Sequence, residues 1–236
     1  MRTSILSTMQ TAAALLSRRP HRRYPEVTLG DAEIAFRLGR VHELCGPARR
    51  TLALACAARL EGPVVWISQT NRADALCPDG VADLIPPGKL LFVAANKRDD
   101  VLWAMEESLR DGRAPTVIAD LSAPPPMVPV RRLHLAAEAG SGAGVCQPLA
   151  LLLTPEDGGA PGIETRWSLH PAHHTGVNRW RLNRLRARMA PPRQWMMAFS
   201  NSGLAPCSDI DTPQSAAPEP AQTLLSPRET MRFEVS

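Results

Sequence analysis

The sequence lacks the features that mark membrane-spanning and disulfide-rich proteins. No apolar run approaches the ~20 residues that a transmembrane helix requires. The five cysteines are odd in number and include no CxxC pair, which predicts reduced thiols and a cytoplasmic protein. Aromatic residues make up only 4% of the chain, but a hydrophobic content of 44% supports one substantial core. We therefore expect a single α/β domain with tails and no membrane partner.

The chain also lacks a complete phosphate-binding loop. Residues 41–60 (VHELCGPARRTLALACAARL) are typical of a strand, a tight turn and a helix, which is where such a loop would lie. Of the G-x-x-x-x-G-K-[ST] pattern, Gly46 and Thr51 remain, while the second glycine and the lysine are missing. Arg50 could replace the lysine's charge, but a shortened loop cannot wrap phosphates. The sequence therefore indicates a lost nucleotide site.

Catalytic and metal-binding residues are not indicated either. Strand-like residues 63–68 end at Gln69, where a hydrolytic site would carry a carboxylate to orient the attacking water. Glutamine cannot take a proton, so this position argues against hydrolysis. The histidines at 170, 173 and 174 have no cysteine or carboxylate at ligand spacing. We predict a protein without catalytic residues, a metal or a cofactor.

The clearest structural pattern is a strand, a helix and a strand over residues 90–121. Leu90–Ala95 and Thr116–Leu121 are apolar runs of strand length, and we expect both strands to be buried in a parallel sheet. The helix between them presents apolar residues at helical spacing, begins with two aspartates and ends before Gly112. Asp120 then lies at the carboxyl end of a strand, where α/β proteins place their ligand chemistry.

The following segment predicts a second helix and strand. Pro124–Pro126 form a stiff connector, and a helix is expected from about residue 130 to 139, with Gly140 as its stop. A strand is expected over Val145–Leu153. Residues 154–164 (TPEDGGAPGIE) are predicted to form a flexible acidic loop.

Residues 165–208 contain no acidic residue but have seven arginines and three of the five tryptophans. The pattern predicts strands over ETRWSLHP and NRWRLNRLRARM, the second with an arginine face. Such a ribbon could contact phosphates, with tryptophan available for stacking. It could equally be an edge strand protected by charge, or a dock for an acidic partner. The candidate contact residues are Arg179, Trp180, Arg181, Arg184, Arg186, Arg188 and Trp195.

Three regions follow from these patterns. Residues 1–30 form a basic arm with a possible short helix over Thr8–Leu16, which could be a solvated arm or a helix that docks on a partner or nucleic acid. Residues 31–200 form the core domain. Residues 201–236 are rich in proline and serine and predict a disordered tail, with TLLSP and MRFEVS as candidate partner hooks.

The order of these parts resembles the RecA family, and most closely its divergent ImuA branch, over roughly residues 36–200. The resemblance is carried by VHELCGPARRTLALA, GPVVWISQTNR, LLFVAANKRDDVLWAMEESLRDGRAPTVIADL, RRLHLAAEAGSGAGVCQPLALLL and WRLNRLRARMAPPRQWMM. It implies a RecA-like, mostly parallel sheet flanked by helices and closed by antiparallel strands. Asp120 then corresponds to the Walker B aspartate, and Gln69 stands where RecA-like ATPases carry a catalytic glutamate.

The resemblance implies a role in SOS-inducible, error-prone translesion DNA synthesis. The expected partners are an ImuB-type polymerase-like adaptor, an error-prone replicative-type DNA polymerase and RecA itself. We therefore expect a non-catalytic scaffold with a degenerate nucleotide site, composed of Gly46, Arg50, Thr51, Gln69 and Asp120. The alternatives are a weak ATPase completed by a partner, a SulA-like inhibitor of cell division, and a simple binder of single-stranded DNA.

Overall fold

A computed structural model describes residues 24–70, 76–174, 176–201 and 203–207. The strands are β1 (Glu26–Thr28), β2 (Ala35–Arg37), β3 (Val41–Cys45), β4 (Val64–Gln69), β5 (Leu90–Ala95), β6 (Thr116–Asp120), β7 (Leu149–Leu153), β8 (Thr165–Pro171), β9 (Trp180–Ala187), β10 (Arg193–Ser200) and β11 (Gly203–Pro206). The α-helices are α1 (Arg49–Ala57), α2 (Pro78–Ala82), α3 (Arg98–Asp111) and α4 (Met127–Ala143).

Nine of the strands form one mixed sheet in the order β11-β10-β9-β8-β3-β7-β6-β4-β5. The strands from β8 to β5 along this order are parallel to their neighbours, and β9, β10 and β11 close the sheet as antiparallel strands. The α/β class and the mostly parallel sheet with an antiparallel end are therefore confirmed. Strand β3 is parallel to β7 on one side and to β8 on the other, and the change to antiparallel pairing lies between β8 and β9.

Two hydrophobic clusters cover the two faces of the sheet. The first contains α1, the β1–β2 hairpin and the inward side chains of the antiparallel strands, with Trp167 at its centre. The second contains the apolar stripes of α3 and α4. Helix α3 is buried through Val101, Met105 and Leu109, as its spacing predicts. Gly112, which follows α3, has a φ of 63° and ends the helix as expected.

The strand β5 differs from its prediction as a buried strand. It pairs only with β4 among the described residues and forms one edge of the sheet. Leu91, Phe92 and Val93 are exposed, with 63% of Phe92 accessible to solvent. The apolar run identified a strand correctly, but apolar composition does not distinguish a central strand from an edge strand.

Helix α4 also differs from its prediction, because it continues through Gly140 to Ala143. Gly140 is buried where α4 crosses the end of α3, and an added Cβ there would lie 2.0 Å from the carbonyl oxygen of Leu109. This glycine therefore permits a close crossing of two helices and does not stop α4. The extension moves the start of the next strand from the predicted Val145 to Leu149.

The described strands extend beyond the predicted core of residues 31–200, because β1 precedes it and β11 follows it. The predicted helix over Thr8–Leu16 and the tail motifs TLLSP and MRFEVS lie outside the described residues. Within the residues that the structure describes, every helix is too short or too polar to span a bilayer.

Candidate functional site

Backbone N–H groups of the loop that joins β3 to α1 donate hydrogen bonds to other segments of the protein. The N–H of Gly46 donates to the carbonyl oxygen of Glu156 at 2.8 Å, and the N–H of Ala48 donates to that of Leu169 at 3.1 Å. A phosphate-binding loop needs these N–H groups free to point at the ligand. Pro47, between them, has no N–H group to offer. The loop therefore presents its backbone to two neighbouring segments and not to a phosphate.

Asp120 lies at the carboxyl end of β6, as predicted, and is 1% exposed. Its Oδ2 accepts hydrogen bonds from Nε and Nη2 of Arg50, each at 2.7 Å. Helix α1 begins at Arg49 directly after the loop, so its first turn carries this guanidinium to the end of the sheet. The carboxylate of Asp120 is therefore paired with an arginine of the same chain.

The structure brings together only some of the other residues that the sequence predicted to form a degenerate nucleotide site. Gln69 ends β4 beside Asp120, and its Oε1 accepts a hydrogen bond from Ser122 Oγ at 3.2 Å. Thr51 does not join them, because it lines a separate groove of about 740 Å³ that lies between α1 and the antiparallel strands. Gly46, Arg50, Gln69 and Asp120 therefore gather at the carboxyl end of the sheet, while Thr51 faces another surface.

A buried carboxylate close to this loop was not identified from the sequence. Glu43 is fully buried in the middle of β3 and accepts hydrogen bonds from Thr154 Oγ1 at 2.8 Å and from the N–H groups of Gly159 and Ala160 at 2.8 and 3.0 Å. The guanidinium of Arg166 on β8 pairs with its other oxygen. These contacts anchor the segment 154–164, which the sequence predicted to be a flexible loop. The signal available in the sequence was a glutamate within a short strand that also contains Val41, Leu44 and Cys45.

Burial of this region also changes the chemistry of two side chains. Burial, together with the nearby Glu43 carboxylate, raises the pKa of the Cys45 thiol to about 12, so this cysteine is not a nucleophile at neutral pH. Burial lowers the pKa of His42 to about 4. Its Nδ1 lies 2.6 Å from Thr165 Oγ1 and its Nε2 lies 2.9 Å from the carbonyl oxygen of Arg37. Both groups support the fold.

The predicted arginine face of β9 is interrupted by buried side chains. Arg184 is only 6% exposed, and its guanidinium lies over the rings of Trp167 and Trp195 at 5.6 and 5.2 Å. It donates hydrogen bonds to the carbonyl oxygens of Glu33 and Pro191. Trp195 is itself 7% exposed. Arg184 and Trp195 are therefore part of the interior and expose little surface to a partner.

Of the remaining ribbon candidates, Arg179 is also buried, at 8% exposure. Trp180 is half-buried between His173 and Phe199, with ring centroids at 4.9 and 5.1 Å, and lines the 740 Å³ groove. The candidates that remain exposed are Arg181, Arg186 and Arg188. Strand alternation accounts for Arg184 facing the core while Arg181 faces solvent. The exposure of both Leu185 and Arg186 coincides with the register shift between Arg166 and Trp167 on the neighbouring β8.

The part of the chain that the structure describes contains no group of three or more His, Cys, Asp or Glu side chains placed to hold a metal ion. A scan against protein-family models finds no match to this chain, and a search of curated proteins finds no similar sequence.

Proposed function

We propose that the chain is a non-catalytic, RecA-like scaffold of SOS-inducible, error-prone translesion DNA synthesis. In this proposal it positions an ImuB-type polymerase-like adaptor and an error-prone replicative-type DNA polymerase, and it associates with RecA. The assignment to this process rests on the resemblance of the sequence to the ImuA branch. The mostly parallel sheet with its antiparallel end is compatible with that resemblance.

The observation that carries the non-catalytic role is the engagement of the β3–α1 loop. The N–H groups of Gly46 and Ala48 are bonded to other segments, and Arg50 occupies the carboxylate of Asp120. A nucleotide would have to break these contacts and then bind Mg²⁺ beside a guanidinium. Each lost contact to a charged group costs about 1.5–3 kcal/mol, so nucleotide binding is strongly opposed.

The β5 edge offers a surface for the adaptor. Phe92 and its two neighbours are exposed, and the outer hydrogen-bonding edge of β5 is open among the described residues. An extended segment of a partner can add to such an edge through main-chain hydrogen bonds, while side chains such as Phe92 provide apolar contact. We propose that the adaptor contributes this segment.

Nucleotide binding tests the non-catalytic role. A fluorescent ATP analogue with Mg²⁺ is titrated into the purified full chain, alone and with the ImuB-type adaptor and single-stranded DNA. We expect no binding in any of these mixtures. Binding that disappears in Asp120→Asn would contradict the scaffold role and favour a partner-completed ATPase.

Adaptor binding tests the β5 edge. Phe92→Arg is compared with Trp103→Arg, a matched control on α3 whose side chain is 60% exposed, close to the 63% of Phe92. We expect Phe92→Arg to weaken adaptor binding at least tenfold and Trp103→Arg to change it less than twofold, with both variants as stable as the wild type. Equal effects of the two variants, or no adaptor binding by the wild type, would refute this docking surface.

A further inference from the structure

A second polar groove lies at the end of the sheet opposite Asp120. It has a volume of about 430 Å³ and is placed where β3 and β8 begin. We call it the basal groove and define it by the side chains of Arg37, Arg40, Arg131, His134, Glu164 and Arg188. The sequence separates these residues by up to 151 positions, so no local pattern indicated that they would meet.

The basal groove has an excess of positive charge. Its four arginines face Glu164 inside the groove and Glu138 at the rim, which pair with Arg188 at 3.6 Å and with Arg40 at 3.4 Å. Arg131 is exposed and forms no ion pair with any described residue. The buried Nε of Arg37 has no hydrogen-bond partner within the described part of the chain. The groove therefore has four guanidinium groups against two carboxylates, and the side chain of Arg131 is exposed to an incoming anion.

His134 does not contribute a further charge at neutral pH. Its Nδ1 accepts a hydrogen bond from the N–H of Val41 at 3.4 Å, and its Nε2 lies 3.2 Å from the carbonyl oxygen of Gly162. This arrangement fits the neutral ring with its proton on Nε2. Burial, and then the positive charge of Arg40, lower the pKa of His134. His134 therefore lines the groove as an uncharged side chain.

The aromatic ring of Tyr24 lies beside the arginines of the basal groove. A smaller cavity of about 220 Å³ shares Arg37 and Arg40 with the basal groove and is also lined by Tyr24. The ring of Tyr24 is 46% exposed, and the guanidinium carbon of Arg37 lies 3.1 Å from its centroid. Residues 1–23, which precede Tyr24 and lie outside the described residues, contain five arginines and no acidic residue. The sequence that precedes Tyr24 is therefore basic.

We propose that the basal groove binds single-stranded nucleic acid, with its arginines on the phosphates and Tyr24 as a stacking surface for a base. A positively charged groove combined with an aromatic platform is the arrangement that recognises single strands without regard to sequence. A duplex hides its bases from such a ring. This inference goes beyond the scaffold function and does not depend on it. The basal groove lies at the amino ends of β3 and β8, whereas the β3–α1 loop lies at the carboxyl end of β3 and the β5 edge is separated from β3 by three strands.

The test compares two double charge reversals in the full chain. Arg131→Glu/Arg188→Glu alters the basal groove, and Arg113→Glu/Arg181→Glu lowers the net charge equally at sites outside it, one of them on the β9 ribbon. Binding of a fluorescent 20-nucleotide oligo-dT is measured by anisotropy across a salt series, with thermal unfolding as the check on folding. If the first reversal impairs folding, Arg131→Gln/Arg188→Gln takes its place.

We expect the groove variant to bind at least tenfold more weakly and its salt dependence to fall. Single strands lose about 0.7 in slope for each phosphate contact removed, so two contacts correspond to about 1.4. The control variant is expected to remain within twofold of the wild type. Tyr24→Ala is expected to weaken binding about tenfold with an unchanged salt slope, because stacking releases no counterions.

Three results would overturn the proposal. The first is no detectable binding by the wild type. The second is equal weakening by the two double variants, which would indicate a response to net charge or a ribbon site. The third is a 20-base-pair duplex or a 20-residue poly-glutamate peptide that competes as well as oligo-dT, which would indicate a different class of partner.

Discussion

At the carboxyl end of the sheet, Arg50 neutralises the charge of the buried Asp120 carboxylate. We expect Arg50→Met to destabilise the protein by about 3–5 kcal/mol, because it removes the guanidinium from a buried carboxylate. Urea unfolding measures this loss. The neighbouring Arg49→Met is the control, since Arg49 donates only one 3.3 Å hydrogen bond to the carbonyl oxygen of Gly46, and it should cost about 1 kcal/mol.

A double variant of Arg50 and Asp120 measures the interaction energy between the two side chains. In Arg50→Met/Asp120→Asn the buried negative charge is gone, so part of the stability lost in the single variant should return. A double variant that is as unstable as the sum of the two single variants would show that the two side chains do not interact energetically.

His42 makes stability depend on pH. Its pKa is lowered to about 4 by burial, whereas the unfolded chain has an ordinary histidine value near 6.5. Above pH 6.5 the group adds no pH dependence. As pH falls from 6.5 to 4, only the unfolded state takes up the proton, so the free energy of unfolding should decrease by about 3 kcal/mol.

The measurement is urea unfolding of the wild type and of His42→Gln at several pH values between 4 and 7. The wild type should lose stability more steeply, because the variant has no proton to take up at this position. Parallel curves for the two proteins would contradict the role of His42.

At the scale of elements, the crossing of α3 and α4 depends on the absence of one side chain. A Cβ at Gly140 would lie 2.0 Å from the carbonyl oxygen of Leu109 and 3.2 Å from the Cα of Gly112. Backbone atoms cannot move aside as a flexible side chain can. We therefore expect Gly140→Ala to destabilise the protein by more than about 3 kcal/mol or to prevent folding.

Gly142 offers a matched control two residues further along α4. An added Cβ there meets nothing within 4 Å, so Gly142→Ala should be neutral or stabilising by up to about 1 kcal/mol, since alanine favours the helix. Thermal unfolding of both variants measures the contrast. Similar melting temperatures would show that the helices can separate without cost.

The helices and strands also show which of their properties can be predicted from the sequence pattern. The buried stripe of α3 and the stop at Gly112 were predicted correctly because both depend on neighbours within a few residues. The exposure of β5 and the continuation of α4 through Gly140 were not, because each depends on which element lies alongside. A sequence pattern therefore locates a helix or strand, whereas packing against other elements can change its burial and its ends.

At the scale of the molecule, Glu43 links three neighbouring strands of the sheet. It lies on β3, and it contacts Thr154, which follows β7, and Arg166 on β8. We expect Glu43→Gln to destabilise the protein by about 3 kcal/mol and to speed hydrogen exchange at the amides of Gly159 and Ala160. NMR-detected exchange measures both amides directly.

The control is Glu106→Gln, which changes another buried glutamate. Glu106 lies on α3, where it pairs with Arg110 and Arg132, and it makes no contact with the segment 154–164 in the described hydrogen bonds. Its variant should leave the two amides protected. Faster exchange in both variants would indicate a global loss of stability and not the release of this loop.

The candidate sites could be predicted only in part, for a reason that belongs to the whole molecule. Asp120 was placed correctly because the end of its strand is visible in the sequence. Its partner Arg50, 70 positions away, and the meeting of Arg37 with Arg131 follow from the order of strands in the sheet. Along β9, Arg184 is buried whereas Arg186 is exposed, and the sequence alone does not distinguish these two arginines.

The position of Tyr24 has a practical consequence for spectroscopy. It is the only tyrosine in the 236-residue chain, and it lies under the guanidinium of Arg37 beside the basal groove. Biosynthetic replacement by 3-fluorotyrosine therefore gives a protein with a single ¹⁹F resonance. That resonance would report ring stacking at this one position, free of overlap from the rest of the molecule.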